Sequence, residues 1–132
     1  MRVVFDTNVW VSYFRFGGVC ERVVVGISAK HTVWHSQFVA QEVERVLRQK
    51  FRFEPRDLQA SVGSLSRISR LVHPTGPVPT VCRDPDDNLV LHLCQHVGVE
   101  LLVTGDNDLR VLGQFGPTQI LSPAEVGQRW GL

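Results

Sequence analysis

A short apolar run that ends in an acid, Arg2-Val3-Val4-Phe5-Asp6-Thr7-Asn8, constrains this chain more than any other stretch. Val3, Val4 and Phe5 are consecutive, apolar and β-prone, the pattern of a buried strand. In open α/β sheets, ligand-binding groups sit just past the carboxyl ends of the strands, and Asp6 stands at that place. Thr7 and Asn8 follow, both able to hydrogen-bond a carboxylate or nearby backbone. Taken alone, Asp6 reads equally well as the N-cap of a helix over Val9–Phe14. The same arrangement recurs three more times, which capping does not require.

The rest of the chain alternates short strands and helices. A Gly17-Gly18 break precedes a helical stretch from Glu21 to Ala29, and Thr32-Val33-Trp34 predicts a strand. Ser36 is a good N-cap for a helix whose Val39, Val43, Val46 and Leu47 recur at helical spacing. Glu42 falls about 60–80° off that stripe, at the edge of the buried face. Pro55 opens a further amphipathic helix through Leu58, Val62, Leu65, Ile68 and Val72, which His73-Pro74-Thr75-Gly76-Pro77 breaks. Val78–Cys82 predicts a short extended segment. Asp84 fits the N-cap and Pro85 the first position of the next helix, placing Asp87 at the third. Leu101–Thr104 predicts a strand running into Gly105-Asp106-Asn107-Asp108-Leu109, and Thr118–Leu121 another. Ser122-Pro123-Ala124-Glu125 is a capping box that opens a terminal helix. This alternation, with no repeat or linker, predicts one α/β domain over residues 1–132 with a mostly parallel sheet.

Four βα junctions therefore each present a carboxylate: Asp6, Glu42, Asp87 and Asp106, with Asp108 as a fifth candidate. Each reads as a junction between strand and helix, so a parallel sheet would set them on one edge. Ionised carboxylates gathered in one cleft repel unless a counter-charge is supplied. The candidate ligands are hard oxygens without a Cys/His cluster, so the expected cofactor is Mg²⁺ or Mn²⁺. Thr104 and Asn8 are placed to orient ligands or water.

Charge distribution points the same way. The net charge is only +1, yet seven of the 13 acids lie in or beside these motifs, leaving 6 acids against 14 Lys and Arg elsewhere. Twelve of those 14 are Arg, the side chain best suited to phosphate. An acidic focus in a basic surround suits a polyanion handled at a metal site, and phosphodiester hydrolysis is the matching chemistry. Arg45, Arg48, Lys50 and Arg52 interleave with Phe51 and Phe53, equipment for gripping single-stranded nucleic acid, and Arg83 stands beside the acids. Two core phenylalanines beside a solvated helix end would read the same. There is no GxxxxGK and no GxGxxG, which removes the P-loop and dinucleotide classes. His92 and His96 read as helix-surface residues. Cys20, Cys82 and Cys94 are odd in number and lack CxxC spacing, so buried free thiols in a reducing cytoplasm are expected. Neither a signal peptide nor a membrane span is expected, since no apolar run approaches roughly 18 residues.

These residues resemble the PIN domain, and within it the small single-domain VapC-like toxins of prokaryotic toxin–antitoxin pairs. The resemblance rests on Asp6-Thr7-Asn8-Val9, Ser36 with Glu42 and Val43–Leu47, Arg83–Asn88, Thr104–Leu109 and Ile120–Glu125. It implies a three-layer α/β/α sandwich and metal-dependent endoribonuclease activity on RNA. Asp6, Glu42, Asp87 and Asp106 match the family's metal-binding acids and Asp108 a less constant one, so no acidic position is missing. Cys94 stands where the family usually has a smaller residue. A cognate antitoxin and a homodimer are what the family would suggest. Two rivals stay open at this point. One is a non-catalytic RNA-binding or regulatory module that uses its acids to bind a structural metal. The other is an aspartyl-phosphate phosphohydrolase, which would want an acid where Asn8 stands.

Overall fold

β1 (Arg2–Phe5) lies inside a six-stranded sheet, and its three apolar residues are fully buried. The computed structural model describes residues 1–132. In chain order there follow α1 (Thr7–Arg15), α2 (Gly18–Lys30), β2 (Thr32–Ser36), α3 (Gln37–Gln49), α4 (Pro55–Ile68) and β3 (Ser69–Val72). Then come α5 (Pro85–Val97), β4 (Leu101–Val103), α6 (Asn107–Arg110), β5 (Gln114–Phe115), β6 (Thr118–Leu121) and α7 (Pro123–Trp130). The strand order is β3-β2-β1-β4-β6-β5, parallel except for the β5–β6 pair.

That order reverses beside β1. The chain steps outward from β1 to β2 and β3, then returns to lay β4 on the other side of β1. Right-handed crossovers accordingly put α1–α4 on one face of the sheet and α5 on the other. α1 packs on α2 and α3, α3 on α4, and α7 on α2, as one continuous helical layer. Binding crevices form where strand order reverses, here between the carboxyl ends of β1 and β4.

The core runs through both faces of the sheet. Phe5 meets Trp10 edge-on at 5.3 Å between centroids, joining β1 to α1. On α3, Val39, Val43 and Leu47 are fully buried and Glu42 is half-buried beside them, as its angular offset from the stripe predicts. α5 is buried around much of its circumference, from Asn88 through Cys94.

Several expectations are corrected. The helix opened by Pro55 stops at Ile68, and Ser69–Val72 pairs in parallel with Val33–Ser36 as β3. Ser69 turns out of the helix, its hydroxyl donates to the Leu65 carbonyl at 2.8 Å, and the open edge of β2 supplies a ladder partner. Val78–Cys82 joins no strand; Pro79 has no N–H to offer a ladder, and the N–H and carbonyl of Cys82 are taken by the Asn88 side chain. β5 went unpredicted, although the turn Gly116-Pro117 between it and β6 is a readable signal. His92 is buried rather than on the surface, because the loop between β3 and α5 folds over it and its Nε2 meets the Thr75 carbonyl at 3.0 Å. His96 is exposed, as expected. The three cysteines are free, with Cys20 and Cys94 buried and Cys82 half-buried. No helix is long and apolar enough to cross a membrane.

Candidate active site

Asp6 leaves β1 at the point of strand reversal and is 5 % exposed. Its Oδ1 accepts the Thr7 N–H at 2.8 Å, so Asp6 is the N-cap of α1. Its Oδ2 accepts from Asn8 Nδ2 at 3.0 Å and from Thr104 Oγ1 at 2.8 Å. Burial raises the Asp6 pKa, and the Thr104 and Thr7 hydrogen bonds offset part of that rise. Asn8 in turn accepts the Gly105 N–H on Oδ1 at 2.9 Å. Thr104 and Asn8 thus tie the end of β1 to the end of β4.

Asp106 follows β4 and caps α6, accepting the Asp108 N–H at 2.9 Å. Asp87 arrives from elsewhere. It sits in the first turn of α5, whose N-cap Asp84 accepts the Asp86 N–H at 2.9 Å. The side chain of Asn88 holds both the N–H and the carbonyl of Cys82, at 2.9 and 3.0 Å, and so fixes the loop that leads into this turn. Asp87 is buried and its Oδ2 has no hydrogen-bond partner. Burial, then the negative charge of Asp106, pushes its pKa up to about 7.

Carboxylate oxygens of Asp87, Asp106 and Asp108 lie within 4.8 Å of one another. A buried carboxylate oxygen with no partner, in a cluster of hard oxygen donors at that spacing, fits a divalent cation. The expectation that every acid sits at a junction of strand and helix holds for Asp6 and Asp106 only. Asp87 follows a long loop, and Glu42 lies inside α3. Glu42 still faces the same cleft, a cavity of about 380 Å³ also lined by Asp6, Asp87 and Asp106. Both its oxygens are held by Arg45, Nε to Oε1 at 3.0 Å and Nη2 to Oε2 at 2.9 Å. That contact holds the Glu42 pKa below its usual value.

The basic candidates are distributed unevenly. Lys50 lines the cleft. Arg45 engages Glu42, Arg48 pairs with Glu44 at 2.6 Å, and Arg83 reaches Asp108 at 3.2 Å. Arg52 is exposed in the left-handed backbone region, φ 56°. Phe51 and Phe53 are half-buried against the core. Sequence reasoning missed Phe16 and Asp86, which also line the cleft. Asp86 had a signal in the Asp84-Pro85-Asp86-Asp87 run, whereas Phe16 had none.

The PIN domain family model matches residues 2–108. The fold is also similar to the crystal structure of Mycobacterium tuberculosis VapC20, a Sarcin-Ricin loop cleaving toxin. That match has a TM-score of 0.64 at 16% identity and covers 86% of this chain and 96% of that one. It is similar again to VapBC2 from Rickettsia felis bound to a DNA fragment from their promoter. There the TM-score is 0.66 at 12% identity, with 92% of this chain and 98% of that one covered. No curated protein matches the chain. With the family model spanning both β1 and β4 and the acids between them, this chain belongs to the PIN domain family.

Proposed function

We propose that the chain is a Mg²⁺- or Mn²⁺-dependent endoribonuclease, the toxin component of a toxin–antitoxin pair, acting as one domain over residues 1–132. The observation that carries this reading is the buried, unpartnered Oδ2 of Asp87, a member of the Asp87, Asp106 and Asp108 cluster, beside a cleft that Asp87, Asp106 and Lys50 line. Membership of the PIN family and the likeness to a toxin that cleaves the sarcin–ricin loop support RNA as the polymer. The likeness to VapBC2 supports an antitoxin partner.

Asp6, Asp87 and Asp106 would hold the ion, with Asp108 completing the set. The ion when bound supplies positive charge for the scissile phosphate and for the departing oxygen. Asn8 and Thr104 orient Asp6 through the hydrogen bonds already described. Glu42, kept ionised by Arg45, is suited to orient a water at the cleft's edge; its lowered pKa makes it a poor proton acceptor. Asp87, with a pKa near 7, is the acid whose proton a cation would displace. Lys50, Arg45 and Arg83 supply cations around the cleft for phosphate, and Arg48 and Arg52 extend that positive surface along the end of α3.

The test is cleavage of a mixed single-stranded RNA with Mn²⁺, with Mg²⁺ and with EDTA, with Asp6→Asn run alongside. Metal-dependent cleavage that the variant loses is the expected result. Full activity in folded Asp6→Asn would sink the assignment of the site. RNA bound but never cleaved would favour the non-catalytic module.

A further inference from the structure

Of the seven phenylalanines, Phe16 alone is exposed, at 65 %. It is the C-cap of α1, and its N–H donates to the Ser12 carbonyl at 2.8 Å. The next residue, Gly17, also donates to Ser12, at 2.9 Å, and takes φ 77°, a turn that glycine adopts without a steric penalty. The ring is therefore presented from a fixed helix end. It meets Phe51 edge-on at 5.5 Å and 88°. The Arg15 guanidinium lies 4.9 Å from the Phe16 centroid and 5.6 Å from that of Phe51, and Lys50 Nζ lies 5.5 Å from Phe51. Neither Arg15 nor Lys50 has a carboxylate partner. Phe16, Phe51 and Lys50 line the same cleft as Asp6, Asp87 and Asp106.

An exposed ring costs hydration free energy unless a ligand covers it, and free cations around the ring select an anionic ligand with a flat face. We propose that Phe16, backed by Phe51 and flanked by Arg15 and Lys50, is a stacking subsite for one unpaired base of the RNA strand. The base lies on the open side of the Phe16 ring, Arg15 and Lys50 meet its flanking phosphates, and the strand continues toward the acids. Duplex RNA cannot use the subsite, because its bases are already stacked on one another. The proposal rests on the part of that reading in which RNA occupies the acidic cleft. It adds which residues select a single strand there.

The experiment is equilibrium binding, in EDTA, of a short single-stranded RNA carrying 2-aminopurine, whose fluorescence drops when the base is stacked. Wild type, Phe16→Ala, Phe16→Leu and Phe16→Trp are compared, with melting temperatures and with cleavage in Mn²⁺ measured separately. Wild type and Phe16→Trp should quench the probe. Phe16→Ala and Phe16→Leu should bind about 5- to 100-fold more weakly, without quenching and with unchanged melting temperature. Their affinity for the same sequence as a duplex should equal that of wild type. Equal single-strand binding by Phe16→Ala and wild type overturns the subsite, and retained metal-dependent cleavage would then leave the nuclease reading standing. Loss of binding in Phe16→Ala from a protein that never cleaves upholds the subsite and sinks the nuclease. Full rescue by Phe16→Leu overturns stacking and assigns the ring to an apolar contact, as a protein partner would make.

Discussion

Thr104 Oγ1 donates to Asp6 Oδ2 at 2.8 Å, across 98 positions of sequence, and the same hydroxyl accepts the Asp106 N–H at 3.0 Å. One fully buried side chain therefore orients acids at the ends of two adjacent strands. Thr104→Val keeps the shape and removes the hydroxyl, leaving an Asp6 oxygen and the Asp106 N–H short of a partner. The expected cost is about 1–3 kcal/mol of stability, read by chemical denaturation. Divalent-ion affinity, read by calorimetric titration, should fall with it, and Thr104→Ser should restore both. A Thr104→Val protein with native stability and native ion affinity would count against this linkage.

The charge state of Asp87 makes stability depend on pH. Its pKa is raised from 3.8 to about 7, so between those values the folded protein binds more protons than the unfolded chain. The stability of the metal-free protein relative to Asp87→Asn should therefore fall as pH rises from about 4 to about 7, then level off; the comparison cancels the opposite slope from His31 and His35, whose pKa values burial lowers. A divalent cation favours the ionised form and should flatten that decline. Melting curves across pH, with EDTA and with Mg²⁺, measure both. Asp87→Asn should stabilise the metal-free protein near neutral pH and lose the gain from metal. A rise in that difference over this range would contradict the assignment.

Glu42 and Arg45 form a two-bond pair on adjacent turns of α3. Arg45 is exposed, so Arg45→Ala should leave the melting temperature nearly unchanged. The pKa of Glu42 should rise toward its ordinary value, and the acid limb of the rate profile should move up with it. Arg45→Lys should not restore the profile, because an ammonium cannot grip both oxygens in the guanidinium's planar geometry. Identical profiles for all three proteins would remove Glu42 from the reaction.

Arg52 holds a left-handed backbone, φ 56°, where the chain leaves α3. Side chains other than Gly, Asn and Asp pay about 1–2 kcal/mol for that conformation. Arg52→Asn should therefore raise stability by up to about 1 kcal/mol. If Arg52 also contacts an RNA phosphate, the variant's binding should depend less on salt, by about one unit in the log–log slope. Unchanged salt dependence with raised stability would make Arg52 a turn residue only.

Much of this architecture is readable before folding. The Val3-Val4-Phe5 run, the Val39–Leu47 stripe, the Asp84 and Ser122 caps and Pro85 each depend on neighbours within a few positions. The structure places them as expected. The Leu58–Val72 periodicity failed at Ser69 because the final residues could serve a helix or an edge strand. Only the exposed edge of β2 decided between them. His92 failed for a related reason: its burial comes from a loop on another part of the chain.

By itself the sequence marked the candidate acids and, for Asp6 and Asp106, the helix that each one caps. Capping, helical period and β-propensity act over a handful of residues and leave their marks in order. Only the tertiary structure decided that β4 lies against β1, that Asp87 enters from α5 with a partnerless oxygen, that Arg45 holds Glu42, and that Phe16 stands at the rim. Burial and distance set those properties, and both arise from packing between segments far apart in the chain, where no local pattern records them.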